Sequence, residues 1–454
     1  MIFEIKELGE KYKNNIAYTA GGKSFTYCKL FEKSKEISSE ILKEKAASAI
    51  IFGSRNFETM AAIIACVLSK TAYIPVDMNL PESRKEKIIK ISGASLIIDC
   101  SEEKISFKKI KEENCENENA YVIFTSGSTG EPKGVPVSYE NLDNFIEWIT
   151  KLSPLNEFEH ASVLNHASFS FDLSTAAIYY SLFGGHNLVQ VENTADFEKM
   201  FSEIKENKVN VIVATPTFLR LCLLNKDFSE ENYPFIKCIY FCGEMLQKSH
   251  VKEIFKRFPE IKIINAYGPT EAASAVSAIE ITEEILEKEE LLPVGKISSA
   301  ATEITVENGE IVLKGKSVSK GYLSGETGGF YKENGKNCFK TGDMGFIENG
   351  KLYCKGRFDS QIKYKGYRIE LSEIEANISS VSGTENCAVI VKRNPEGEVR
   401  LIKAFVSGNV SEEEIRKKLS ENLPEYMIPK SIKKLAFIPF NKNGKIDRKE
   451  LEKL

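Results

Sequence analysis

With 454 residues, the chain is long enough for two or three domains of ~150 residues each. Apolar residues make up 42% and charged residues 28% of it, the balance of a globular protein with a buried core. A formal net charge of −4 offers no basic surface for nucleic acid, and the longest apolar run, Met60–Leu68, falls far short of the ~20 residues that span a bilayer. The opening stretch MIFEIKELGEKYKNN has no apolar core of the signal-peptide kind. Ten cysteines without a secretory signal fit reduced thiols and a cytoplasmic location. Cys238 and Cys242 lie four apart, but no second pair or histidine cluster completes a metal site around them.

Taken in order, Ser24–Lys45 carries apolar residues three or four apart (Leu30, Ile37, Ile41) and reads as a helix. Ala49–Gly53 is a strand, Phe57–Leu68 a buried helix, Ala72–Asp77 a strand, Ser83–Ile91 a helix and Ser95–Asp99 a strand. Tyr121–Phe124 is a strand and Leu142–Ile149 a helix. Phe197–Glu206, Val209–Ala214, Thr217–Leu224, Ile236–Cys242, His250–Phe258 and Ile261–Ala266 continue the alternation. Such alternation is the mark of an α/β fold, a parallel sheet covered by helices. After Leu292 the texture changes. Glu303–Val306, Glu310–Lys314, Phe346–Glu348 and Lys351–Cys354 are short strands, with the hairpin signals Asn308-Gly309 and Asn349-Gly350 between them. A small antiparallel barrel or sheet is expected there. From Asp359 a brief α+β pattern follows, with helices at Ser372–Ser379 and Ser411–Glu421 and strands near Ala388–Lys392 and Ile402–Val406.

Four segments are dense in groups able to do chemistry. In Tyr121–Val135, an apolar strand feeds Thr125-Ser126-Gly127-Ser128-Thr129-Gly130 and then Lys133. Glycine N–H groups, hydroxyls and a lysine can wrap a polyphosphate, or the stretch can be a solvated turn. In Asn265-Ala266-Tyr267-Gly268-Pro269-Thr270-Glu271, directly after a strand, an exposed tyrosine could stack on a base and a carboxylate could hold Mg²⁺. The alternative is a Gly-Pro turn with Thr270 as a helix cap. In Lys340-Thr341-Gly342-Asp343, with Arg357 shortly after, an aspartate in a tight turn could take two ribose hydroxyls and the arginine a phosphate; a hairpin with a surface ion pair is the other reading. Asn443–Arg448 holds Lys445 in a polar turn, where lysines are ordinarily solvated. Gly309–Ser317 nearly reads as a Walker A loop, but five residues separate its glycines instead of four. Gly127–Gly130 is no GxSxG elbow.

In this order, Thr125–Gly134, Asn265–Glu271, Thr341–Asp343, Gly356–Glu370 and Asn443–Arg448 resemble the adenylate-forming superfamily over essentially the whole chain. The resemblance implies an α/β amino-terminal domain (1–358) of parallel-rich sheets with packed helices and a small β-barrel, and a small α+β lid (359–454) hinged at Asp359. It implies adenylation of a carboxylate by ATP with Mg²⁺, then transfer of the acyl group to a thiol. By motif, Thr125, Ser126, Gly127, Ser128, Thr129, Gly130 and Lys133 would hold the outer phosphates. Asn265, Ala266, Tyr267, Gly268, Pro269 and Thr270 would frame the adenine and α-phosphate, and Glu271 would hold Mg²⁺. Asp343 would take the ribose, with Arg357 beside it, and Lys445 would be the catalytic lysine.

Phe169–Ser174 resembles the amino-acid-activating branch, in which the aspartate, here Asp172, pairs with the substrate ammonium. That segment, with Phe241–Leu246, Arg257–Ala273 and Leu423–Lys430, is similar to the D-alanine–carrier protein ligases. There Leu173, Cys242, Gly243 and Ser274 would line the pocket, and the acceptor would be the phosphopantetheine arm of a carrier protein. Thr175-Ala176-Ala177 and Ser274 depart from that group, which has bulkier residues and a valine at these places. D-alanine, β-alanine, glycine and serine all stay open. The expected protein is a cytoplasmic monomer. A CoA ligase, a nucleotide-binding module and a kinase-like ATPase are the competing readings.

Overall fold

The structure, a computed structural model, describes residues 4–102, 104–111, 117–127, 130–191, 196–439 and 446–454. By packing they form two units: Met1–Met78, Ser92–Ile123 and Gly134–Gly356 in the first, and Asn79–Ile91, Phe124–Lys133 and Arg357–Leu454 in the second.

The first unit follows from its apolar strands. Val211–Ala214 and Cys238–Phe241 are apolar from end to end and buried along their length, as strands covered on both faces must be, and Ser162–Asn165 is buried at all but its first residue. They lie inside an eight-stranded sheet in the order Ser277–Glu280, Lys262–Tyr267, Cys238–Phe241, Val211–Ala214, Ser162–Asn165, Asn187–Gln190, Ile16–Ala20, Lys23–Thr26. All neighbours run parallel except the two edge pairs. A six-stranded sheet is ordered Ser106–Lys109, Leu96–Asp99, Ser48–Phe52, Ala72–Val76, Asn119–Thr125, Lys133–Ser138. Helix Phe57–Leu68 starts where expected, because the Asn56 side chain accepts the Thr59 N–H at 2.8 Å.

Three expectations change. The helix expected from Ser24 begins at Tyr27. Ser24 and Phe25 instead pair with Thr19 and Tyr18 in an edge hairpin, and Thr26 caps the helix. Helix Leu173–Gly184 has no counterpart in the periodicity reading, since nearly every face of it is buried. The antiparallel region after Leu292 is a six-stranded sheet with an open strand order, so of the barrel and the sheet it takes the second form. Its hairpins do turn at Asn308-Gly309 and Asn349-Gly350, all four residues with φ between 50° and 82°.

In the second unit, helices Leu371–Ser379 and Glu412–Asn422 share a core with strands Thr384–Arg393, Val399–Gly408 and Ser431–Lys434. Ser411 and Glu414 form a reciprocal capping box at the second helix. No helix among the described residues is long and apolar enough to cross a membrane. The nine cysteines among them are free.

Two buried histidines tie stability to pH. His166 is pushed down to about 3, by burial first and then by Arg55. His186 is pushed down to about 4, by burial and then by His160. Both rings accept a backbone N–H, from Thr215 at 3.3 Å and from Ala161 at 3.1 Å, which requires an unprotonated nitrogen. A depressed native pKa means the unfolded chain binds the proton first. Stability is therefore complete above an unfolded value of about 6.5 and is lost as pH falls toward 4 and 3. Denaturant titrations from pH 7.5 to 5 should show a loss of ~1.4 kcal/mol per pH unit for each ring below that value. His166→Gln and His186→Gln should each flatten the slope; unchanged slopes would contradict buried neutral imidazoles.

Candidate active site

The polar groups of the first unit gather where its parallel strands end, as they do in open α/β sheets. Strand Cys238–Phe241 sends Tyr240 to the same face as Cys242 beyond it. Strand Lys262–Tyr267 contributes Ile264 and Ala266 there. Helix Leu173–Gly184 packs into the same cluster, with Asp172 in the position just before its first turn. The Thr270 hydroxyl donates to Asp172 Oδ2 at 2.5 Å. That bond fixes a carboxylate at the strand ends, beside a helix amino terminus that favours negative charge.

The turn after Thr270 is strained. Ala273 and Ser274 have φ of +56° and +77°, a conformation that costs a non-glycine residue on the order of 1–3 kcal/mol. The turn carries the Ser274 carbonyl to within 3.9 Å of the Cys242 Sγ, which donates to it. Gly243, at φ +97°, follows in the left-handed region that favours glycine. Gly268 has a steric reason as well: a Cβ there would lie 2.5 Å from the Ala275 Cα.

Glu271 is fully buried, and the Tyr322 hydroxyl donates to its Oε1 at 2.6 Å. A carboxylate oxygen is the hard donor that Mg²⁺ prefers, so this residue fits such an ion. Asn265 donates to the Pro293 carbonyl at 2.8 Å. Tyr267 is not the exposed platform that the turn residues suggested. Its ring sits in a cluster with Val276, Ile311 and Leu352, and its hydroxyl donates to Asp343 Oδ2 at 2.6 Å. Burial and the nearby Asp343 charge raise its pKa well above the ordinary value, so it remains a donor. Asp343, in turn, is not in a tight turn. It lies inside the long strand Lys336–Glu348. There Glu310 faces Met344 and Val312 faces Lys340, so residues 341–343 oppose Ile311 in a bulge. Bulges re-aim side chains, and this one leaves the Asp343 side chain buried beside Tyr267.

Within the second unit, Thr125 ends its strand, Lys133 begins the next, and Gly130 has φ +85°. Gly127 is sterically required, since a Cβ would meet the Glu131 carbonyl oxygen at 2.0 Å. The Ser126 hydroxyl donates to the Arg368 carbonyl at 2.9 Å and accepts the Glu370 N–H at 3.0 Å. Arg357 grips both oxygens of Asp359, Nε at 2.8 Å and Nη2 at 2.7 Å. Burial raises the Asp359 carboxyl, but the Arg357 guanidinium overcomes it and holds the group below the usual carboxylate range. Ser128, Thr129 and Lys445 lie outside the described residues.

Sequence reasoning missed Tyr240. It is fully buried, and its hydroxyl has no hydrogen-bond partner among the described residues. Burial, and then the nearby Cys242 and Asp172, push its pKa well up. The only signal available was its strand parity with Cys242.

The AMP-binding enzyme family matches residues 5–115 and 100–323, and the AMP-binding enzyme C-terminal domain matches residues 373–445. Among curated relatives, the D-alanine–D-alanyl carrier protein ligase of Listeria monocytogenes serovar 1/2a is 36% identical, covering 99% of this chain and 98% of its own. That of Bacillus licheniformis is 36% identical, covering 100% and 99%. Among solved structures, the Vibrio cholerae adenylation domain AlmE in complex with glycyl-adenosine-5'-phosphate aligns with a TM-score of 0.87 at 22% identity, covering 99% of this chain and 96% of that one. Holo-PA1221, a protein with adenylation and PCP domains, aligns at 0.83 and 21%, covering 99% and 83%. The chain belongs to the AMP-binding enzyme family, and it is an AMP-forming ligase of that ATP-using class.

Two isosteric substitutions should part company. Tyr267→Phe takes a donor from the buried Asp343 and should cost ~1–3 kcal/mol in denaturant unfolding. Tyr240→Phe removes an unpartnered hydroxyl and should be neutral or stabilising. Equal losses would contradict these hydrogen-bond assignments.

Proposed function

We propose that this chain activates a small amino acid with ATP as an aminoacyl-adenylate and passes it to the phosphopantetheine thiol of a carrier protein. The observation that carries this reading is the Asp172 carboxylate, fixed by the Thr270 hydroxyl. A half-buried anion there suits an ammonium group, which a plain fatty or aryl acid lacks. The names of the full-length relatives support the carrier protein and make D-alanine the first substrate to try. The small Ala176 and Ala177 and the polar Ser274 keep β-alanine, glycine and serine in the set. A methyl or methylene is worth only ~1–3 kcal/mol of discrimination in such a pocket.

In this reading residues 1–358 are the catalytic core and 359–454 a lid turning about Asp359. Thr125–Gly130 and Lys133 take the outer phosphates and Arg357 assists at the nucleotide. Asn265–Thr270 frame the adenine and α-phosphate, and the buried Asp343 takes the ribose hydroxyls. Glu271 would hold Mg²⁺, which when bound supplies charge neutralisation for the polyphosphate. The substrate carboxylate attacks the α-phosphorus, the bond to the bridging oxygen breaks, and pyrophosphate leaves. Lys445 sits between the two anions and offsets their repulsion. In the second half-reaction the carrier thiol, losing its proton, attacks the acyl carbon and AMP departs.

A pyrophosphate-release screen over D- and L-amino acids, β-alanine and their deamino analogues tests the reading. Release with a small amino acid and not with its deamino analogue is expected. Asp172→Ala should cut that preference by tenfold or more, on the order of one charge-assisted hydrogen bond. Equal loss for both substrate classes would make Asp172 structural only. Lys445→Ala should abolish adenylate formation while ATP binding stays measurable; undiminished adenylation would remove the lysine from its role.

A further inference from the structure

Within the second unit one buried ion pair is not explained by the roles above. Arg84, near the start of helix Glu82–Ser92, has its Nη1 2.6 Å from Oε1 of Glu373, with side chains 7% and 0% exposed. The other oxygen of that carboxylate, Oε2, accepts the Gly127 N–H at 3.2 Å. Lys87, on the same helix face three residues on, pairs with Glu131 at 3.0 Å. A guanidinium and a glycine N–H from the phosphate-cradle sequence thus converge on one fully buried anion. That donor set binds a phosphate oxygen as readily as a carboxylate. Burying a carboxylate is costly unless strong partners replace its water, so whatever displaces Glu373 must offer the same two donors an equal or greater charge. The outer phosphates of ATP do.

We infer that Arg84 is a further ligand for the pyrophosphate end of ATP, and that Glu373 fills its place as an internal anion until the nucleotide displaces it. This rests on the ATP-dependent reading above. The exchange moves no covalent bond: the guanidinium and the Gly127 N–H trade one oxyanion for another. Glu373 is thereby a competitor for ATP, and Arg84 is a binding residue with a role beyond neutralising Glu373.

Equilibrium binding of Mg·ATP to the full chain, and KM for ATP in pyrophosphate exchange, are measured for the wild type, Arg84→Gln, Glu373→Gln and the double variant. Arg84→Gln should weaken ATP about tenfold or more, the size expected for a lost charge-assisted hydrogen bond, and should spare transfer from preformed aminoacyl-adenylate, which carries no pyrophosphate. Glu373→Gln should tighten ATP severalfold, a gain that misfolding cannot produce. The double variant should stay as weak as Arg84→Gln. Two results overturn the assignment. Unchanged or weaker ATP binding by Glu373→Gln removes the competition. Recovery of wild-type affinity in the double variant makes Arg84 only the partner of Glu373. A wild type that binds no ATP would instead remove the ATP-dependent reading itself, and the assignment with it.

Discussion

A parallel sheet covered on both faces leaves polar chemistry few places to emerge, and the first unit is built around that constraint. Strands Ser162–Asn165, Val211–Ala214 and Cys238–Phe241 are buried along almost every residue. Backbone and side-chain polar groups therefore surface at the strand ends, where Thr270 bonds Asp172 and Cys242 bonds the Ser274 carbonyl. Each of these is held by a specific local device. A hydroxyl–carboxylate bond holds Asp172, a left-handed pair of residues presents the Ser274 carbonyl, and a bulge sets Asp343 against the Tyr267 hydroxyl. Such supports preorganise a site, since groups already fixed lose little freedom when a ligand arrives.

Electrostatics in the two units follow one pattern. Carboxylates in both are held by a hydrogen-bonding partner. Glu271 takes the Tyr322 hydroxyl, Asp343 the Tyr267 hydroxyl, Asp359 the Arg357 guanidinium and Glu373 the Arg84 guanidinium. The neutral phenols can hold an anion without neutralising it. The guanidiniums neutralise theirs. Glu271 and Asp343 thus have neutral partners, whereas Asp359 and Glu373 are each paired with a cation.

Much of the fold could be read from the chain because local chemistry and burial agreed. Phe57–Leu68 has its asparagine cap and a continuous apolar body; Tyr121–Phe124 is a strand of strand formers. Legibility ended where tertiary packing overrode local pattern. Helix Leu173–Gly184 is buried too completely to show a polar face. Thr341-Gly342-Asp343 has turn-forming residues, but pairing with Glu310–Lys314 draws it into a bulged strand. Tyr267 looked exposed beside a Gly-Pro pair, yet the antiparallel sheet supplies apolar neighbours from residues far along the chain. The candidate site was legible as motifs; its internal contacts were not. The Arg84–Glu373 pair joins residues 289 apart, and nothing local to either announces the other.

The central claim is that this chain forms an adenylate. Identifying the nucleotide products by phosphorus NMR, with D-alanine and the other small amino acids supplied one at a time alongside Mg·ATP, tests it most directly. The account predicts amino-acid-dependent formation of AMP and pyrophosphate. Formation of ADP and inorganic phosphate would contradict it.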